Sequence, residues 1–219
     1  AARKASTSAS WPTSIPSARA MWSGGAWQSF GGGLRSNATF DRTAVVTAIA
    51  GAGCTQGRPR FYVAGDFTYA TQPDGSVIEV DRIALWNGEA WEALDGTILR
   101  GYVYSLVYDN GTLYAGGNLW GGALGYVGVA KTSGAGEWEV LGRGAAAEVY
   151  AMVPDGTGGM YIGGGFHSVR QEDGSELIAN GLAHWTGTEW AWIGGPHPDE
   201  NSTNLTVWAL MRGPDGSIY

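Results

Sequence analysis

One phrase occurs three times in this chain: YVAGDFTYA at 62–70, YAGGNLWGG at 114–122 and YIGGGFHSV at 161–169, and a fourth copy begins at SIY, 217–219. Each is a short apolar run that breaks into glycine and then meets a large side chain. Recurrence every few tens of residues marks a repeat architecture, in which each unit is one supersecondary motif that buries its faces only against its neighbours. No other feature narrows the fold as far.

Aligning the copies resolves a unit of four short segments. The first is VVTAI (45–49), VYSLV (103–107), VYAMV (149–153) and VWALM (207–211). The second ends in the glycine phrase, at 61–67, 113–119 and 160–166. The third is RIALW (82–86), VGVAK (127–131), GLAHW (181–185) and, before them all, SARAMW (17–22). The fourth centres on Trp27, Trp91, Trp138 or Trp190. Each segment has ordinary strand length, and Asp, Asn and Gly punctuate the joints, as in Asp109-Asn110-Gly111 and Asp155-Gly156. The pattern predicts an all-β chain of four-stranded antiparallel meanders with no helix longer than a turn or two. The glycine pair is expected where inner strands of neighbouring units crowd together, with Phe67 and Phe166 packing between units. Loops swell at 70–80 and 168–178, and the two are alike: TQPDGSVI and RQEDGSELI.

Composition closes off other classes. With 11 tryptophans and only 15% charged residues the chain is not of the disordered type. Its net charge of −7 argues against nucleic acid or an anionic membrane surface as partner. No apolar run approaches the roughly 20 residues of a membrane-spanning helix. Cys54 is the single cysteine, so no intrachain disulfide forms. Four N-x-[ST] sequons, at Asn37, Asn110, Asn201 and Asn204, exceed the roughly one that this content of Asn, Ser and Thr yields by chance, and they point to a secreted chain carrying N-linked glycans.

The apolar strand ending in Gly-Gly, as in MYIGG, with a tryptophan downstream, as in Trp190, resembles kelch-type β-propellers. The stretch YVAGDFT followed by RIALWNGEAWEAL is similar to kelch-like repeats of secreted or surface-anchored proteins. The resemblance covers nearly the whole chain and implies a propeller of four-stranded blades over 17–219, after an N-terminal extension at 1–16. Two departures stand out. The segment 127–131 lacks the tryptophan of its sisters, and Asn118-Leu119 replaces the usual acidic residue or glycine followed by Phe. Three blades are complete, with half-blades before and after them. A larger array is the leading expectation. A closed ring of four, or completion by the terminal strands of another copy as in a filament, are the alternatives.

The chain shows little that could carry catalysis. His167, His184 and His197 form no metal-binding pair, and His184 occupies an ordinary strand position. Some kelch propellers are copper oxidases, but Cys54, placed in a loop, has no neighbouring Tyr and His of the required kind. The PDGS and EDGS sequences read as turns rather than calcium loops. Neither a catalytic residue nor a cofactor is expected. The regular tryptophans read as packing. Trp120, Trp192 and His167 are the candidate ligand contacts, because Trp120 and Trp192 break the regular pattern and His167 faces a loop. The leading expectation is an extracellular structural or adhesive scaffold that binds protein partners. The alternative is a carbohydrate-binding or carbohydrate-acting propeller.

Overall fold

The computed structural model describes residues 20–23, 26–36, 44–94, 100–121, 124–133, 137–193 and 205–219, with side chains from residue 30 onward. These residues form strands, turns and one short 3₁₀ turn, and no α-helix. Three antiparallel four-stranded sheets carry the repeat. The first comprises β4 (Val45–Thr55), β5 (Arg58–Asp66), β8 (Ile83–Trp86) and β9 (Trp91–Ala93). The second, or middle, sheet comprises β10 (Arg100–Asp109), β11 (Thr112–Trp120), β12 (Val129–Thr132) and β13 (Glu139–Val140). The third comprises β14 (Val149–Pro154), β15 (Met160–Gly164), β18 (Leu182–Trp185) and β19 (Trp190–Ala191). Before them, β1 (Ala20–Ser23) pairs with β2 (Ala26–Ser29), and Trp22 stands opposite Trp27 in the register that also sets Trp86 opposite Trp91 and Trp185 opposite Trp190.

The sheets stack face to face. One apolar cluster joins Tyr62, Ala64 and Leu85 of the first sheet to Val103, Leu106 and Leu113 of the second. Another joins Tyr114 and Val129 of the second to Val149, Met152 and Ile162 of the third. The first strands of successive sheets are neighbours, β4 beside β10 and β10 beside β14. Apolar residues cover both faces of the second strands, which is why those segments read as continuous hydrophobic runs instead of alternating ones.

Three sequence expectations are corrected here. The swellings at 70–80 and 168–178 are hairpins, not loops: β6 (Tyr69–Thr71) with β7 (Val77–Glu79), and β16 (Ser168–Arg170) with β17 (Glu176–Ile178). Strand β3 (Gly33–Arg35) adds to the first hairpin, and Ala145 bridges to Val169 of the second at the equivalent place. Asp74 and Asp173 at the tips accept hydrogen bonds from the backbone and hydroxyl of Ser76 and Ser175, so these carboxylates close Asx turns. Second, Cys54 lies within β4, exposed and opposite Pro59, because that strand extends well beyond the expected 45–49.

The third correction concerns the glycines. A Cβ on Gly65, Gly117 or Gly164 would lie 1.9, 2.0 or 1.9 Å from the carbonyl oxygen of Val45, Tyr102 or Glu148, the first two on the first strand of the same sheet and Glu148 immediately before it. There the register shifts, between Val46 and Ala48, Val103 and Ser105, and Val149 and Ala151, so each first strand carries a bulge that presses its backbone onto the second strand. Crowding from the next unit explains the other member of the pair: a Cβ on Gly116 would meet Val149 Cγ1 at 2.8 Å, and one on Gly163 would meet Val207 Cγ1 at 2.6 Å. Phe67 and Phe166 are fully buried and seat the hairpins, Phe67 against Leu34, Ala70 and Val80 and Phe166 against Ala145 and Val169.

Segment 205–219 begins a further unit. Val207 N–H donates to the Gly164 carbonyl, and Val207 and Leu210 cover Gly163 of the third sheet. Met211 and Tyr219 exchange backbone hydrogen bonds, so the neighbour of Tyr219 is the near end of its own hairpin. The strand expected at 207–211 is thus extended and docked, with ladder pairing only at its end.

Candidate functional site: an aromatic row on the first-strand bulges

The bulged residue of each unit is Thr47, Tyr104, Tyr150 and, by alignment, Trp208. A bulge turns its extra residue out of the ladder, and because the first strands are neighbours, the extra residues line up. Thr47 Oγ1 donates to the Val103 carbonyl at 2.5 Å, reaching from the first sheet to the second. The rings of Tyr104 and Tyr150 lie 5.7 Å apart, tilted by 36°. Tyr150 and Trp208 stack at 4.4 Å and 16°. Trp208 is 70% exposed, so the ring face turned away from Tyr150 is open.

Glu148, Asn118, Trp120 and Tyr126 adjoin this row. Asn118 Nδ2 approaches Glu148 Oε1 at 3.4 Å, and Asn118 Oδ1 accepts from Trp120 Nε1 at 3.2 Å. Trp120 meets Tyr126 edge to face at 5.5 Å. The Tyr126 hydroxyl donates to the Gly117 carbonyl at 3.2 Å. Burial raises the pKa of Tyr126 well above the ordinary tyrosine value, and the nearby Glu148 carboxylate, Tyr104 and Tyr150 raise it further. Desolvation followed by Glu148 and Tyr104 raises Tyr150 in the same way. Glu148 makes no ion pair among the described residues. The arrangement sets a half-buried carboxylate beside aromatic rings, and the Arg170 guanidinium donates to the Tyr126 backbone carbonyl at its margin.

Of the residues singled out by sequence, Trp120 belongs to this face and is 50% exposed. His167 holds the equivalent position in the third unit, half-buried between Phe166 and β16, and its carbonyl accepts from Ala179 and Asn180. Trp192 follows β19, at the edge of the third sheet opposite the first strand that bears Tyr150, and is 38% exposed. Asn110 is exposed at the tip of the β10–β11 hairpin, with φ of 45°, followed by Gly111 at 86°, the pair of left-handed residues a tight hairpin turn requires. Asn37, Asn201, Asn204 and His197 lie outside the described residues, as does the extension at 1–16.

Sequence reasoning missed two features. One is the row itself. Its signal was available: an aromatic residue follows the leading valine in VYSLV, VYAMV and VWALM. The other is His184, which is more than a strand residue. Its Nε2 lies 2.9 Å from Asp155 Oδ2, and its ring stacks on Tyr161 at 4.3 Å. Asp155 also accepts from the backbone N–H groups of Thr157 and Gly159. Burial works to raise the Asp155 pKa, but the hydrogen bonds from Thr157, His184 and Gly159 prevail and hold it far below the ordinary carboxylate value. Among the described residues no three His, Cys, Asp or Glu side chains converge as metal ligands. No helix there is long and apolar enough to cross a membrane. No family model matches the chain, and no curated protein is significantly similar to it.

Proposed function

We propose that the chain is a non-catalytic recognition scaffold of the cell exterior, built as a β-propeller of kelch-like blades. Face-to-face stacking of successive meanders with adjacent first strands supports the propeller arrangement. The observation that carries the functional reading is a division of labour within the repeat. The recurrent residues are consumed by packing: Trp91, Trp138 and Trp190 are at most 6% exposed, and the recurrent glycines admit backbone or neighbouring side chains. The residues that vary, Thr47, Tyr104, Tyr150 and Trp208, gather on one face with Glu148 and Trp120. A scaffold that binds partners has this organisation. Exterior placement rests on the sequons, of which Asn110 sits on an exposed hairpin tip where a glycan leaves the sheet undisturbed.

A carbohydrate-binding role is the second reading. The exposed indoles of Trp120 and Trp208, beside the Asn118 amide, favour it.

The test is a binding panel on the secreted full chain, with basic peptides, acidic peptides and neutral oligosaccharides, run beside assays for their hydrolysis. Saturable binding without turnover supports the scaffold. Turnover of any member overturns it.

A further inference from the structure

We propose that the aromatic row captures a cation, namely the ammonium or guanidinium group of a lysine or arginine side chain on a partner protein. This rests on the scaffold reading and names the partner chemistry of that same face.

Three observations converge. The face of an aromatic ring carries negative potential, and an indole attracts cations best. Trp208 presents such a face, open on one side and backed on the other by Tyr150 at 4.4 Å. The Glu148 carboxylate stands beside the row with no cation of this chain paired to it among the described residues. The chain as a whole carries −7, so long-range attraction acts in the same direction.

Charge then favours a cation over a sugar. A sugar hydroxyl is both donor and acceptor, and a sugar site supplies both kinds of partner. Here the Asn118 oxygen is occupied by Trp120, its nitrogen points to Glu148, and the Tyr126 hydroxyl is turned to the Gly117 carbonyl. The Tyr104 and Tyr150 hydroxyls serve either role, and the one charged group among these side chains is the Glu148 carboxylate, which only accepts. An acceptor framed by π faces suits a group that only donates, and lysine and arginine are the side chains of that kind. An anion is disfavoured by the same carboxylate.

The experiment titrates the full chain with an arginine-glycine octapeptide, its citrulline-glycine counterpart, tetramethylammonium chloride and cellobiose, following tryptophan fluorescence. Citrulline keeps the shape of arginine and removes the charge. The arginine peptide is expected to bind at least about 10-fold more tightly than the citrulline peptide, and to weaken as salt is raised. Glu148→Gln and Trp208→Leu, each checked for an unchanged circular dichroism spectrum, are each expected to weaken it about 10-fold. Equal affinity for the two peptides, or insensitivity to Glu148→Gln, overturns the proposal. Binding of tetramethylammonium without the arginine peptide overturns the assignment to a protein side chain. Binding of cellobiose alone overturns this inference while leaving the scaffold intact, whereas turnover of a substrate would remove the scaffold reading itself.

Discussion

In the first and third sheets the fourth-strand tryptophan is held from three sides, and in the middle sheet that set of restraints is reduced. Trp91 and Trp190 each meet a second indole edge to face at 5.2 Å, Trp86 in one case and Trp185 in the other. Each sends its indole N–H to the segment before its sheet, to the Phe30 carbonyl at 3.3 Å and the Leu141 carbonyl at 3.1 Å. Each is clamped by a glutamine from the hairpin. Gln72 exchanges two hydrogen bonds with the Trp91 backbone, at 2.7 and 2.8 Å, and Gln171 does the same for Trp190, at 2.8 and 2.9 Å. The middle sheet has Trp138, but Thr132 occupies the third-strand position of the missing indole, and the hairpin that would bring the glutamine is replaced by a short connection from Trp120 to Val127. That connection bridges Trp120 to Tyr126 and sets them against the row. The unit that departs most from the repeat is therefore the one that contributes most side chains to the candidate site. A repeat protein gains a binding face where packing constraints are relaxed.

The comparison can be broken first at the tryptophans. Trp190→Ala should cost about 3–5 kcal/mol, the usual loss for a buried tryptophan, and Trp138→Ala measurably less, by urea denaturation. Equal losses would show that the clamp and the indole pair add nothing.

A smaller effect is expected at the buried carboxylate of the third sheet. Asp155→Ala strips the acceptor from His184, Thr157 and Gly159 and should cost roughly 1–3 kcal/mol. The folded-state pKa of Asp155 is depressed, so its contribution is fully present above about pH 4, the ordinary carboxylate range, and is lost as pH falls through the folded value. Denaturation followed from pH 6 into acid should therefore narrow the gap between wild type and Asp155→Ala. A gap that stays constant or widens would contradict the assignment.

Gln171→Ala comes next, at about 1 kcal/mol. The Trp190 N–H and carbonyl would be left to find water, and the thermal midpoint should drop while the emission of Trp190 shifts to the red. The smallest effect on stability belongs to Asn110. On secreted material, Asn110→Gln should lower the intact mass by one glycan and leave the unfolding curve unchanged. An unaltered mass would remove Asn110 as a glycosylated site.

These differences also mark how far the sequence could be read. Four segments per unit, their order and the turn at 109–112 were legible because period, glycine placement and turn chemistry are local. The hairpins were read as loops because TQPDGSVI and RQEDGSELI carry strong turn residues at their centres and only three residues of strand on either side, too few for alternation to register. The bulge was hidden because it changes pairing, not composition. One unpaired residue at Thr47, Tyr104 or Tyr150 decides which glycine of the pair faces backbone and which side chain joins the row. The Asp155–His184 contact joins a turn residue to a strand residue 29 positions away, and no local pattern encodes it.

Amide hydrogen exchange, read residue by residue in the native protein, tests the contrast between the sheets most directly. The Trp91 and Trp190 amides donate to glutamine side chains and lie beneath a hairpin, whereas Trp138 lies just before a two-residue strand, with no such hairpin among the described residues of its unit. Opening of the middle sheet's outer edge should therefore be easier. The predicted result is protection of the Trp91 and Trp190 amides at least about 10-fold greater than that of Trp138, equivalent to 1.4 kcal/mol. Equal protection at the three tryptophans, or greater protection at Trp138, would contradict the account.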